Sequence, residues 1–286
     1  MDFRVKSSLY YQLTGPAAIL CSLRPHLSEG QSAREESLAS TPELEPIDLE
    51  VGPFGNRLTR FEISDVEELC ISYSGLFESH PELAEIPEDE KPASYPGDPD
   101  VIPFLFPSRY APSDRFSSIA HDLFGKIENP FHQAVAIEDW LYENLSYVYG
   151  SSHESTSAEE TFLQRRGVCR DFAHLGIAFC RALFLPARYV TAYSYLLDPQ
   201  DFHAAFEVYL GGRWHLFDAT RLVPLNALLR IAVGRDATET AVASLSGSIY
   251  STGMEIYVYD ESDSDTEFRG IDREELREKE QTILLP

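Results

Sequence analysis

The run Arg165-Arg166-Gly167-Val168-Cys169-Arg170-Asp171-Phe172-Ala173-His174-Leu175 constrains this chain more than any other. It predicts the end of one helix, a glycine break and the start of a second helix. Ser157-Ala158-Glu159-Glu160 has the form of a capping box and opens a short helix that ends near Arg166. Beyond Gly167, Phe172, Leu175, Phe179 and Leu183 recur at helical spacing until Pro186 closes the run. Cys169 therefore stands at a helix N-terminus, where unpaired N–H groups and the macrodipole favour a thiolate. Asp171 in the first turn supports the helix but opposes the thiolate slightly. Cys180, about 16 Å further along the helix axis, is expected to be inert packing.

A nucleophilic thiol needs partners that are distant in sequence and close in space. After Pro186 the hydrophobic period becomes two. Ala187–Tyr195, Phe202–Leu210 and Arg213–Ala219 read as strands, with weaker strands at Arg230–Val233 and Glu255–Tyr259. A tight turn at Gly211-Gly212 pairs Leu210 with Arg213 and so brings Asp218 opposite Ala205. His203, Ala205 and Glu207 then share one face, with polar neighbours. Phe202, Phe206 and Val208 share the other, apolar face. Asp218 falls diagonal to His203, at a Cβ separation of about 7–8 Å that an imidazole–carboxylate hydrogen bond can span. The candidate catalytic set is Cys169 as nucleophile, His203 as the base that takes and returns the proton, and Asp218 as the group that fixes the histidine tautomer. Each is an ordinary residue taken singly; the conjunction carries the reading. His174 reads as helix core and His215 lies on the opposite hairpin face. A zinc set of Cys169, His174, Cys180 and His203 lacks regular ligand spacing, and the sequence implies neither metal nor other cofactor.

The rest of the chain divides by composition. Residues 1–79 form a β domain: Phe3–Val5, Leu9–Leu13 and Ala17–Leu23 are short β-favouring runs with a turn at Gly15-Pro16, and Arg57–Ile63 and Leu69–Phe77 follow. A small antiparallel sandwich is expected there, with Cys21 and Cys70 as buried structural thiols. Residues 80–114 hold 8 of the 18 prolines and the acidic run Glu82, Glu85, Glu88, Asp89, Glu90. They read as an extended, solvated linker. From 115 helices return. Arg115–Gly125 is one, and Asn129-Pro130 caps the next, with Val135, Ile137, Trp140, Leu141 and Leu145 on its apolar face. Residues 115–259 thus form a second, α+β domain. Residues 260–286 form an acidic tail, disordered by composition, with at most a charged helix at Ile271–Gln281.

Net charge narrows the partners. At −24 over 286 residues the chain repels nucleic acid and anionic membrane surfaces. Residues 1–100 carry 7 basic and 20 acidic side chains, residues 101–259 carry 12 and 17, and residues 260–286 carry 4 and 10, so the flanks hold most of the field. No run reaches the length of a membrane span and no basic leader precedes an apolar one. Four cysteines without C-x-x-C spacing suit a reducing compartment. A soluble cytoplasmic protein is expected.

These residues resemble the bacterial transglutaminase-like family of the papain-like cysteine enzyme superfamily. Gly167-Val168-Cys169-Arg170-Asp171-Phe172-Ala173-His174 is similar to its nucleophile motif, and Pro186-Ala187-Arg188-Tyr189-Val190 to the strand that follows. Asp201-Phe202-His203-Ala204 and Trp214-His215-Leu216-Phe217-Asp218-Ala219-Thr220 resemble its histidine and aspartate motifs. Pro107-Ser108-Arg109-Tyr110 and Gly234-Arg235-Asp236-Ala237 resemble its flanking motifs, and the strands around Gly55-Asn56-Arg57 its N-terminal β domain. The resemblance spans residues 1–259 and excludes the tail. It departs at Ala205, where the family has tryptophan; a groove opened beside the imidazole is the expected result.

The resemblance implies thioester chemistry on amides of a protein or peptide substrate. Water as acceptor makes a peptidase or amidase, the outcome favoured here because no dedicated amine site is visible; an amine makes a transglutaminase. The Cys169 N–H is the expected oxyanion donor, with a second donor unidentified. A non-catalytic binding module on the same fold is the alternative of another class.

Overall fold

The computed structural model describes residues 1–86, 97–262 and 268–285. In chain order its elements are β1 (Asp2–Cys21), β2 (Gln31–Thr41), β3 (Ile47–Val51), β4 (Asn56–Ile63), β5 (Glu68–Ser79) and β6 (Glu82–Glu85). There follow α1 (Ser117–Phe124), α2 (Pro130–Asn144), β7 (Ser146–Tyr147), α3 (Ala158–Gln164), β8 (Arg166–Gly167) and α4 (Cys169–Ala182). The chain continues through β9 (Ala187–Ser194), β10 (His203–Leu210), β11 (Arg213–Phe217), β12 (Leu228–Gly234), β13 (Ala243–Asp260), α5 (Arg273–Glu278) and β14 (Gln281–Leu284). The architecture is α+β, an N-terminal antiparallel sheet joined to a mixed core.

The first sheet runs β2-β5-β1-β4-β3. The three strands expected in residues 3–23 are one strand of 20 residues. Gly15-Pro16 makes a bulge in it, with the register against β13 shifting between Leu13 and Ala17. Proline has no N–H to give a ladder, and a bulge is where a strand tolerates it. One edge of β1 pairs first with β5 and then, past the bulge, with β4. The other edge is covered by β13, from Phe3 against Asp260 to Cys21 against Ala243. Thus Ala243–Asp260, of which only the last residues read as a strand and were placed with the second domain, belongs by pairing to the first sheet. Alternate residues Phe3, Val5, Leu9, Tyr11 and Leu13 are buried. They pack with Phe61, Ile71 and Phe77 against Tyr193, Leu229, Ile231 and Ala232 of β9 and β12. The second layer facing this sheet is therefore the sheet of the other half.

That second sheet is antiparallel, in the order β11-β10-β9-β12. The hairpin has the expected register, Leu210 opposite Arg213 and Phe206 opposite Phe217. Helix α4 lies across it and is buried at every residue from Asp171 to Ala182. Gly176 makes that approach possible, because a Cβ there would sit 2.7 Å from Cε1 of Phe206. Asn129 caps α2, its Oδ1 accepting from the N–H groups of Phe131 (2.8 Å) and His132 (3.3 Å). Ser157 and Glu160 form the capping box of α3.

Two expectations of disorder or solvation are corrected. Glu82–Glu85, within the supposed linker, pairs antiparallel with Gln281–Leu284 of the tail; Glu88, Asp89 and Glu90 lie outside the described residues. The tail is anchored. Leu276, Ile283 and Leu285 are buried in one apolar cluster with Val190, Ala205 and Leu216. The helix is confined to Arg273–Glu278, capped by Asp272. The acidic average of the segment masked three consecutive apolar residues, Ile283-Leu284-Leu285, that supply the burial. No helix among the described residues is long and apolar enough to cross a membrane.

Candidate active site

Cys169 is the first residue of α4, and the turn before it is built by Asp171. The Asp171 Oδ2 accepts the Val168 N–H at 2.9 Å, and its Oδ1 accepts the Ser152 hydroxyl at 2.9 Å. Burial pushes the Asp171 carboxyl up, and these donors together with Arg170 work against that. Its oxygens are directed at the capping turn. A Cβ on Gly167 would lie 2.6 Å from the Asp171 Cβ, so the glycine is required for the close approach. A two-residue parallel bridge sets Tyr147 beside Gly167. Tyr147 lies near Cys169; burial and the charge of that thiol raise the phenol above its ordinary value.

His203 begins β10 and Asp218 follows β11 directly, both buried. The His203 Nε2 stands 3.0 Å from Asp218 Oδ2. The Asp218 Oδ1 accepts the Thr220 N–H (2.9 Å) and hydroxyl (2.7 Å), which fixes the carboxylate in its plane. With Nε2 taken, Nδ1 is the remaining ring nitrogen; it is buried with no hydrogen-bond partner among the described residues, and the neighbouring Cys169 favours the charged ring. Burial disfavours the imidazolium. The Asp218 charge and hydrogen bond, helped by Cys169, more than offset it and lift His203 to about 10. Burial likewise opposes the Asp218 carboxylate, and the His203 charge and hydrogen bond, Arg273 and Thr220 hold it at about 2. Both directions describe a buried ion pair.

Cys169 and His203 open onto a groove of about 620 Å³, walled by Tyr110, Arg170, Tyr189, Thr191, Phe202 and Thr240 among others. His174 stacks between Tyr110 (ring centroids 5.0 Å) and Tyr189 (4.8 Å) behind that wall. Its Nε2 accepts the Ala237 N–H at 3.2 Å, and burial holds it neutral. Asp236 accepts the Tyr110 N–H at 3.0 Å. The flanking stretches 107–110 and 234–237 thus serve the groove by tying its wall to α4. A second cavity, also about 620 Å³, is lined by Leu20, Phe54, Phe104 and Gly234 and contains neither Cys169 nor His203. Among the described residues no group of three or more His, Cys, Asp or Glu side chains is arranged to hold a metal ion.

Comparison with known proteins gives this geometry a context. Residues 117–219 match the family model for the transglutaminase-like superfamily, and residues 1–88 match that for the bacterial transglutaminase N-terminal domain. A solved structure from Cytophaga hutchinsonii, described as a candidate cysteine protease, is 40% identical over the whole of this chain and 98% of its own, with a TM-score of 0.94. The chain belongs to the transglutaminase-like superfamily. Its fold is that of a papain-like cysteine enzyme. An uncharacterized protein of Mycobacterium leprae is 32% identical over 51% of this chain and 54% of its own length. One from Mycobacterium tuberculosis is 34% identical over 46% and 45%. The chain spans about half the length of these curated relatives.

Of the three residues the sequence singled out in this transglutaminase-like site, His203 and Asp218 are paired and Cys169 lines the same groove as His203; in the sequence His174 reads as helix core and His215 as lying on the opposite hairpin face. His215 is buried, its ring nitrogen 3.0 Å from the Leu210 carbonyl oxygen. Cys180 is buried, and burial raises its thiol. Cys21 is buried too, at about 12, whereas Cys70 is only half-buried, with a hydrogen bond to Ser72. One expectation fails: Ala205 opens no groove. It is 1% exposed, inside the cluster that holds the C-terminal segment. Glu207, expected among polar neighbours, is fully buried between Arg188 and Arg230. That face of the sheet is covered by residues from beyond 260, which the hairpin alone could not reveal. Sequence reasoning missed Tyr147, Glu138 and Arg273; of these only Tyr147 carries a signal, a short strand run directly after α2.

Proposed function

We propose that the protein is a cysteine-dependent acyl-transfer enzyme that hydrolyses amide bonds of a protein or peptide through a thioester on Cys169. The observation that carries this is the buried His203–Asp218 pair set against a thiol at a helix N-terminus. The Cys169 thiolate attacks the amide carbonyl carbon. The oxyanion that forms is met by the Cys169 N–H and, in our reading, by the Tyr147 hydroxyl as second donor. Imidazolium His203 gives its proton to the departing amine nitrogen as the C–N bond breaks, leaving the acyl group on sulfur. His203, now neutral, takes a proton from water as that water attacks the thioester. Collapse expels the thiolate and frees the carboxylic acid. Asp218 keeps the ring oriented and supports its charge throughout. An open groove that admits water to Cys169 favours hydrolysis over transfer to an amine.

The test is to incubate the protein with a glutamine-containing peptide library, trap the Cys169 adduct, and identify products by mass in water alone and with an added primary amine. Free acid in both arms supports hydrolysis. An amide of the added amine would make the protein a transglutaminase. Absence of any adduct, with a Cys169→Ala variant that still retains peptides, would reduce it to a binding module.

A further inference from the structure

Asp218 is gripped from a part of the chain that carries none of the family motifs. Arg273, at the start of α5, donates from Nη2 to the Asp218 main-chain oxygen (3.0 Å) and from Nη1 to the Val223 oxygen (3.3 Å). The same Nη2 lies 3.6 Å from Asp218 Oδ2, the oxygen that faces His203. On the other side, Arg273 Nε lies 3.7 Å from Glu138 Oε1, and that oxygen accepts the Asp218 N–H at 3.0 Å. Asp218, Glu138 and Arg273 therefore close a ring around one residue's main chain and side chain.

The ring has a physical reason. Asp218 and Glu138 are two nearly inaccessible carboxylates joined through a single peptide N–H, and each raises the cost of ionising the other. A cation between them offsets part of that cost, and it must be held in place, since a mobile surface cation has little effect. The Arg273 side chain is only 15% exposed. Its helix is fixed by Leu276, by the pairing of β14 to β6, and by the buried run Ile283-Leu284-Leu285. Arg277, one turn on, pairs with Glu138 (3.5 Å) and Asp139 but not with Asp218. It is a control built into the same helix.

We infer that Arg273 is a positioning residue, holding the Asp218 carboxylate so that Oδ2 stays on His203 Nε2, and that residues 268–285 are thereby a working part of the active site. The inference rests on the acyl-transfer reading of Cys169, His203 and Asp218. The groups that bear on His203 are Asp218, Cys169 and Asp201 on the preceding loop. Those that bear on Asp218 and Glu138 are His203, Thr220, Arg273, Arg221 and Arg277.

The test is the rate of Cys169 alkylation by iodoacetamide, followed by peptide mapping, as a function of pH in the full chain. The limb of the profile at higher pH reports loss of the His203 proton. If Arg273 positions Asp218, Arg273→Gln loosens the pair and moves that limb to lower pH by about one unit. A bystander cation would do the reverse, because its removal leaves the imidazolium less repelled. Arg273→Lys keeps the charge without the planar fork and should show a smaller shift of the same sign. It carries the test if the Gln variant does not fold. Arg277→Gln should leave the limb in place. A limb unmoved or raised in folded Arg273 variants, or moved equally by Arg277→Gln, overturns the inference while leaving the acyl-transfer reading intact. A wild-type protein whose Cys169 labels no faster than Cys21, Cys70 or Cys180 overturns the acyl-transfer reading, and this inference with it.

Discussion

Replacing Asp218 by Asn isolates the electrostatic part of the site. Asn keeps the shape and can still accept from Thr220, but it offers His203 no charge. At about 1.4 kcal/mol per pH unit, the rise of His203 from 6.5 to about 10 represents on the order of 5 kcal/mol in favour of the imidazolium. With the carboxylate gone, burial is opposed only by Cys169, and His203 in the variant should titrate well below its wild-type value. The assay is an NMR titration of the histidine ring carbons in labelled wild-type and Asp218→Asn protein. Stability follows with a definite sign. The raised His203 value stabilises the fold fully below 6.5, and that contribution is lost as pH rises through about 10. The depressed Asp218 value, the same pair seen from the acid side, stabilises above 3.8 and is lost as pH falls through about 2. The variant should therefore lose the stability gained from pairing across the neutral range, and its unfolding free energy should vary less between pH 6.5 and 10 than that of the wild type. A wild-type His203 titrating near 6.5, or an Asn variant titrating at the wild-type value, would refute the ion-pair argument.

Three other perturbations test separate parts of the framework. Glu207→Gln leaves the buried guanidiniums of Arg188 and Arg230 without their carboxylate; urea unfolding should show a loss of about 3–5 kcal/mol with an unchanged m value. Glu207 is held below its ordinary value despite burial, so its contribution is present above 4.5 and fades as pH falls through the lower folded value. Gly176→Ala puts a methyl 2.7 Å from the Phe206 ring and should cost about 1–3 kcal/mol; a double-mutant cycle with Phe206→Leu should recover part of it, and simple additivity would show that the two do not meet. Tyr147→Phe should lower amide turnover about 100-fold through loss of an oxyanion donor without lowering the melting temperature; a change in KM alone would remove Tyr147 from that role.

The sequence was legible where local chemistry and local structure coincide. Gly167 announces the break before Cys169, Asn129-Pro130 announces α2, and Gly211-Gly212 sets the register that leads Asp218 toward His203. Each rests on residues within a few positions of one another. Where the determinant is remote, the reading failed. β2 is a polar strand held by its neighbour β5, with little β signal in Ser32-Ala33-Arg34-Glu35-Glu36. The first part of β13, residues 243–254, looks like a loop until β1 is beside it. The importance of Arg273 depends on three leucines and an isoleucine bringing it to a carboxylate 55 positions earlier. Composition averaged over residues 260–286 reads as solvated tail, whereas folding is decided by the few apolar side chains within it.

The pairing of β1 with β13 also governs the order in which the molecule can be made. Phe3 meets Asp260 and Cys21 meets Ala243, so the central strand of the first sheet waits on a partner translated some 240 positions after it. Until that partner emerges, β1 has a bare edge with Tyr10, Gln12 and Ile19 along it, a template for pairing with another chain. The helices and the β9–β12 sheet, by contrast, are built from contacts within a continuous stretch. Synthesis from the N-terminus thus exposes the first sheet incomplete while the cysteine-bearing core folds behind it, and long-range closure comes last. A nascent chain halted before residue 243 should therefore be more prone to self-association than one halted after 260, a difference visible by light scattering of released chains.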